Sequence, residues 1–303
     1  MRSAIRSLSA VLLLIGVVPA LAGAQTLVGR ADSVYTWRGT IPANGTFTIK
    51  NFNGPIEVRA ASGNTAELRA EKRTSRGGDI RDVAFELRTE SDGVTICAVQ
   101  TRDEGDCDGR RHSYGDDNWR RPVTVAMTVL VPRGVRLRVA TGNGAVTVDR
   151  AGSEVHASTG NGRVRVLGTE GVVEVSTGNG EVEVRDAKAS VRVSTGNGDV
   201  NVVTAEGPVE VRTGNGDIDV RMSALRAKED MAFHTGSGSV RLTLPANYNG
   251  ELDATTGNGS IRSDFDLKLK GQLSPRHIRA TIGDGGPMLR MTTGNGEFEI
   301  RKS

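Results

Sequence analysis

The chain has 303 residues, among them 39 glycines, 9 prolines and only 2 cysteines, and aromatic residues make up 4% of it. Two cysteines cannot staple a chain of this length, so a small disulfide scaffold is excluded, and near-balanced charges at 25% of residues argue against wholesale disorder. Setting aside Arg2 and Arg6 in the N-terminal segment, 37 basic residues face 36 acidic ones, and beyond short pairs such as Arg110-Arg111 no Lys/Arg cluster is present to neutralise a phosphate backbone; a nucleic-acid partner is not indicated.

In chain order the first element is an export signal. Arg2 and Arg6 supply a positive n-region, residues 11–18 an apolar h-region, and Ala22-Gly23-Ala24 a small-residue site that predicts cleavage before Gln25. The apolar run is shorter than the roughly 20 residues a spanning helix needs. Residues 1–24 therefore read as a signal peptide. The product is expected to be exported, periplasmic or extracellular at the cell surface, with no transmembrane segment after cleavage. Residues 25–39 form a lead-in. Over residues 45–58, Phe47, Ile49, Phe52, Ile56 and Val58 read as a first coil, which residues 66–70 and 83–87 continue as longer strands. Cys97 and Cys107 are the only thiols and lie in the exported part, where an oxidising compartment favours a disulfide. Such a bridge would tie down a polar excursion running to about Trp119. Residues 123–131 read as a strand that ends before Pro132.

The repeat follows. Thr-Gly-Asn-Gly begins at Thr141, Thr159, Thr177, Thr195 and Thr213, each 18 residues after the last. It returns as Thr235-Gly-Ser-Gly, and again at Thr256 and Thr293, with spacings of 22, 21 and 37 that predict insertions in the later coils. Within each unit apolar residues alternate, as at Val164 and Val166 or Val173 and Val175, the period of a half-buried strand. Each unit thus reads strand, Thr-Gly-Asn-Gly turn, strand, five-residue bend. The bend carries a small residue expected to point inward: Ala151, Thr169, Ala187 or Ala205. A unit this short cannot bury its own valines, whereas stacking units side by side does. The fold predicted is all-β, a single-domain β-solenoid of the β-helix or β-roll kind. It spans residues 40–302: irregular wide coils with a 97–119 insert over 40–140, regular coils over 141–302. Asn143, Asn161, Asn179, Asn197, Asn215, Asn258 and Asn295 are expected to stack as a structural ladder of side-chain amides, with the preceding threonines as a second ladder.

Chemistry finds little footing. Calcium-binding β-rolls place an aspartate where Val182 stands here, and the same substitution holds in every coil, so neither a metal nor a cofactor is indicated. His112, His156, His234 and His277 have no metal-ligand spacing, and neither a nucleophile elbow nor a phosphate-binding loop appears, so no catalytic residue is assigned. Glu181, Glu183, Asp199, Asp217 and Asp219 are expected to share one exposed face. With Arg163 and Arg165 nearby, the set Arg163, Arg165, Glu181, Glu183, Asp217 and Asp219 is the candidate partner surface.

Several motifs together carry a resemblance. Asn53-Gly-Pro-Ile-Glu-Val58 is followed by Val131-Pro132 and then by Leu137-Arg-Val-Ala-Thr-Gly-Asn-Gly144. Leu244-Pro245 precedes Leu252-Asp-Ala-Thr-Thr-Gly-Asn-Gly259, and the end runs Ile282-Gly-Asp-Gly-Gly286, Thr293-Gly-Asn-Gly296 and Phe298-Glu-Ile300. Over about residues 40–301 the chain resembles the bacterial "putative adhesin" family of β-strand-repeat domains of unknown function. The resemblance implies surface or envelope association and carries over no catalytic residues; the insert around Cys97 to Trp119 departs from it. The expectation is an exported, non-catalytic interaction module at the cell envelope whose partner is an envelope or surface protein or glycan. One alternative is a self-assembling envelope scaffold joined through its coil ends. Another is a polysaccharide-active enzyme using the surface carboxylates.

Overall fold

A computed structural model describes residues 26–75, 77–101, 107, 123–204, 206–225, 229–271, 274 and 276–303. The expected signal peptide, Ala205, and most of the acidic excursion including His112 and Trp119 lie outside these residues. The N-terminal part comprises β1 (Thr26–Val28), β2 (Val34–Thr40), β3 (Thr46–Asn53), β4 (Ile56–Ala60), β5 (Thr65–Thr74), β6 (Val83–Glu90), β7 (Gly93–Gln100) and β8 (Val123–Val131). The repeat contributes β9 (Arg136–Asn143), β10 (Val146–Asp149), β11 (Val155–Asn161), β12 (Val164–Leu167), β13 (Val173–Asn179), β14 (Val182–Ala187), β15 (Val191–Asn197), β16 (Val200–Thr204), β17 (Val209–Asn215), β18 (Ile218–Met222), β19 (Met231–Ser237) and β20 (Val240–Leu244). The C-terminal part holds β21 (Gly250–Asn258), β22 (Ile261–Ser263), β23 (Leu267–Leu269), β24 (His277–Ile282), β25 (Met288–Asn295) and β26 (Phe298–Lys302).

The repeat winds as a parallel β-solenoid. Odd-numbered strands from β9 to β19 pair in parallel in one sheet, called A, and even-numbered strands from β10 to β20 pair in parallel in a second, called B. The register advances by one repeat per coil, so Val155 lies beside Val173 and Val164 beside Val182. An antiparallel meander is thereby excluded for this stretch. Along β13 the pattern is strictly alternating, with Val173, Val175 and Thr177 buried and Glu174 and Ser176 exposed. The inner faces of both sheets share one core, largely valine in the middle coils and capped by Phe47, Phe85, Phe233 and Phe298 toward the ends. Burial of one such valine contributes on the order of 1.5–2 kcal/mol. Stacking also gives each coil two neighbours about 4.8 Å away that satisfy its backbone.

Two departures from simple winding fix the ends. The spacing of 37 residues before Thr293 does not lengthen the last coil. Instead β25 and β26 insert between β19/β20 on one side and β21/β22 on the other, so the last coil in sequence is the penultimate one in space. In that position the C-terminal strands have both edges paired. The outermost strand β21 is in turn covered by β24, antiparallel to it, and β24 by β23. At the other end β3 and β4 are likewise interior, flanked by β9/β10 and by β7/β8. Beyond them residues 65–90 do not wind as wide coils. β5 lies antiparallel to β8 and β6 antiparallel to β7, with β2 and β1 as the outermost strands of sheets B and A. Antiparallel hairpins end a stack in which every coil would otherwise leave a parallel neighbour unpaired.

Candidate interaction surfaces

At the Thr-Gly-Asn-Gly corner the strand of sheet A runs through the asparagine, and the turn is confined to the second glycine and the residue after it. Asn161 Nδ2 donates to Asn143 Oδ1 at 2.8 Å, and Asn179, Asn197 and Asn215 each donate to the preceding asparagine at 2.8–2.9 Å. Asn258 donates to Asn295 at 2.8 Å, in the spatial order set by the inserted coil. The threonines stack in register but do not bond one another: Thr159 Oγ1 donates to Gly144 O at 3.0 Å and Thr177 Oγ1 to Gly162 O at 3.3 Å. A buried hydroxyl there serves the corner carbonyl of the neighbouring coil, which the turn leaves without a strand partner. Gly180 shows why the corner demands glycine. Its φ is +154°, and a Cβ would sit 2.0 Å from Gly162 O. At the opposite bend Ala151, Thr169 and Ala187 are buried, and the residue before each takes φ near +50 to +65°: Arg150, Gly168 and Asp186.

The charged set of sheet B comes together, but largely to neutralise itself. Arg163 pairs with Glu181 at 2.5 Å and Arg165 with Glu183 at 3.0 Å; Arg185 closes on the same Glu183, and Asp219 lies between Arg221 at 3.3 Å and Arg241 at 3.6 Å. Glu183 is only 8% exposed, which corrects its placement on an open face: two flanking guanidinium groups cover it. Asp217 and Asp199 point along the stack, where Asp199 Oδ1 accepts from Asp217 N at 2.9 Å and Asp217 Oδ1 from Ser239 N at 2.8 Å.

Cys97 and Cys107 are joined in a disulfide with Cα atoms 5.6 Å apart. The bridge lies on the outer side of sheet A, in a small buried cluster with Ala84 and Val99. Glu86, itself buried, accepts from Cys107 N at 3.1 Å and pairs with Arg88, and Lys50 Nζ donates to Cys107 O at 2.9 Å. On the core side of β5, Lys72 is buried over the Phe85 ring with its ammonium donating to Gly29 O, Arg30 O, Ile80 O and Val83 O. Burial pushes this amine's pKa down, an effect the Asp32 charge partly offsets.

The outer face of sheet A carries a trough of about 690 Å³. Its floor is a row of small residues in register, Ala140, Ser158, Ser176 and Ser194. Beside it runs the row Arg138, His156, Glu174, Arg192 and Glu210. His156 bridges Glu154 at 2.6 Å and Glu174 at 2.9 Å, and Glu210 holds Arg192 at 3.4 Å and Arg212 at 2.9 Å. Lys50, Arg88, Arg138, Arg192 and Arg212 line the trough with Glu90, Glu174 and Glu210, and Glu86 and Glu154, outside that lining, pair with Arg88 and His156, so cations and carboxylates balance overall. Arg138 is exposed and makes no ion pair among the described residues. Sequence reasoning overlooked this surface, although its signal was legible: before Thr141, Thr159, Thr177 and Thr195 stands a charged residue or histidine three positions back and alanine or serine directly before.

Among the described residues no cluster of three or more His, Cys, Asp or Glu could hold a metal ion, and no helix is long and apolar enough to cross a membrane. The Toastrack DUF4097 family model matches residues 121–301. No curated protein matches the chain. Two of the solved structures similar to this chain follow. One, from Clostridium sporogenes and described as a "putative cell adhesion protein", shares 9% identity over 89% of this chain and 100% of its own, with a TM-score of 0.28. The other, a "putative adhesin" from Bacteroides fragilis, shares 8% identity over 90% of this chain and 99% of its own, with a TM-score of 0.31.

Proposed function

Because the chain belongs to the Toastrack DUF4097 family, whose model spans more than half of it, we propose that it is an exported, non-catalytic interaction module of the cell envelope. In this reading residues 1–24 are the export signal, 25–39 the lead-in and 40–302 one solenoid domain. The working surface is the trough on sheet A, and the partner is an extended acidic polymer of the envelope. The observation that carries the reading is the exposed Arg138, without an ion pair among the described residues, beside a small-residue floor. Such a floor lets a chain lie close to the sheet, and a cation without a carboxylate partner draws in an acidic one. An enzymatic reading has less support, since the carboxylates it would use are already engaged, Glu181 by Arg163 and Asp199 by the Asp217 amide.

The test measures binding of the purified protein to immobilised acidic and neutral polysaccharides. Arg138→Glu should weaken binding to the acidic polymer by about tenfold, and the loss should shrink as salt rises. Arg163→Glu, on sheet B, serves as the comparison and should change little. Should Arg163→Glu prove the damaging variant, the contact surface moves to the sheet B row. Equal binding to acidic and neutral polymers would sink the assignment of an acidic partner.

A further inference from the structure

Among the described strands both sheets have open edges at both ends of the stack, and the two ends are not alike. At the C-terminal end the edge strands β22 and β23 are three residues each, and β23 carries Lys268 with Lys270 directly after it. Short, lysine-bearing edges are a common guard against strand addition. At the N-terminal end the edge of sheet B is β2, seven residues long. Its one charged side chain, Arg38, is already paired with Glu67 at 3.1 Å. Among the described residues the exposed large hydrophobics are Leu27, Val34 and Leu269, all on edge strands, and two of the three lie at this N-terminal end.

The pairing pattern shows which backbone groups of β2 have no partner among the described residues. Lys72 N donates to Ser33 O, and the antiparallel register sets Val34 beside Glu71 and Trp37 beside Leu68. Ser33, Tyr35, Trp37 and Gly39 therefore turn their N–H and C=O toward β5, while Val34, Thr36, Arg38 and Thr40 turn theirs outward. The inward side chains close the end of the core: Tyr35 stacks on Phe85 with ring centroids 4.6 Å apart, and Trp37 lies 5.4 Å from Phe47. Trp37 nevertheless stays partly exposed.

We infer that β2 is a docking edge for a second copy of this chain, forming a two-fold dimer in which the two β2 strands pair antiparallel about Trp37. The edge is self-complementary in one register. Centred on Trp37, Val34 faces Thr40 of the partner subunit and Thr36 faces Arg38 of the partner subunit. All four outward residues then find partners, about eight hydrogen bonds in all. Moving the centre by one residue toward the C-terminus sets the two Arg38 side chains opposite each other, a like-charge pair that disfavours it. Moving it the other way leaves Thr40 unpaired. The same pairing brings the two half-exposed Trp37 rings together across the axis. Because the opposite end is guarded, association closes at two copies rather than growing into a filament. This inference stands on the strand edge alone and is independent of the trough and its partner.

The test is the molar mass of the purified protein across micromolar concentrations, by sedimentation velocity. A concentration-dependent dimer is expected. Thr36→Pro removes an outward N–H that bonds no described residue, so it should leave the circular dichroism spectrum unchanged and abolish the dimer. Thr36→Lys places a cation opposite the partner subunit's Arg38 and should weaken the dimer by about tenfold, whereas Thr36→Glu should tighten it at low salt. A wild-type protein that stays monomeric at every concentration overturns the inference. So does a dimer that all three variants leave intact.

Discussion

Two residues illustrate how much rests on single atoms in a stack this tight. Gly180 cannot take on a Cβ without meeting the carbonyl of the coil before it, so the corner sequence is dictated by the neighbouring coil as much as by its own turn. Tyr248 is the counter-example of a polar group the fold carries without serving. Its ring is buried edge-on to Phe265, and its hydroxyl has no hydrogen-bond partner among the described residues. Burial, with a smaller contribution from the Asp230 carboxylate, pushes its pKa up to about 12. In the unfolded chain the phenol ionises near its ordinary value of 10.0, so between these two values the unfolded state sheds a proton the folded state keeps. This group therefore leaves folding stability independent of pH below pH 10 and lowers it as pH rises toward 12, by up to about 3 kcal/mol. Tyr248→Phe should leave stability at neutral pH unchanged or raised, and should flatten the alkaline fall seen in chemical denaturation at stepped pH. A variant that unfolds as steeply as wild type in alkali would show that other groups govern that limb.

At the level of elements the inserted C-terminal coil is the decisive feature. β25 and β26 carry Leu289, Met291, Phe298 and Ile300 into the core and supply the only parallel partners of β21 and β22 among the described strands. Removing residues 288–303 should therefore do more than shorten the stack. It should release β21 to β24 as a unit, because their remaining pairings are a hairpin with nothing beneath it. Limited proteolysis checks this: cuts should appear within residues 250–282 of the truncated protein and be absent from the full chain. If the truncated protein resists cleavage there, β21 has found a new neighbour in β19, and the order of the coils is less specific than the register implies. The disulfide acts at the same scale, tying β7 to the excursion that follows through Lys50 and Glu86 on neighbouring strands.

Over the whole molecule the stack behaves as a one-dimensional array whose ends differ from its middle. Coils from β11 to β18 have a neighbour on both sides and a core of near-fully buried valines, while β1 and β23 have three residues, one neighbour and an exposed leucine each. Native-state amide exchange should accordingly be slowest in β11 to β18 and fastest in β1 and β23. Uniform protection from end to end would instead mean that the array opens only as a single unit. The charges follow the same geometry. On sheet B they pair between and within coils, whereas on sheet A Arg138 is left without an ion pair among the described residues.

The sequence by itself determined the solenoid, its 18-residue period, the buried valine positions and the glycine corners. All of these arise from a residue and its counterpart one coil away, and a fixed repeat makes that relation readable in one dimension. Only the tertiary structure decided which coil lies next to which at the ends. A coil of β-branched residues fits any parallel edge. The choice to bury β25 between β19 and β21, and β3 between β7 and β9, falls to whichever order leaves the fewest backbone groups unpaired across the whole stack. The same holds for the charged surfaces. Glu183 and Glu174 sit in equivalent alternating strings, yet one is covered by flanking arginines and the other opens onto a trough, because burial depends on the side chain one coil away, Arg165, and on the one two residues along the same strand, Arg185.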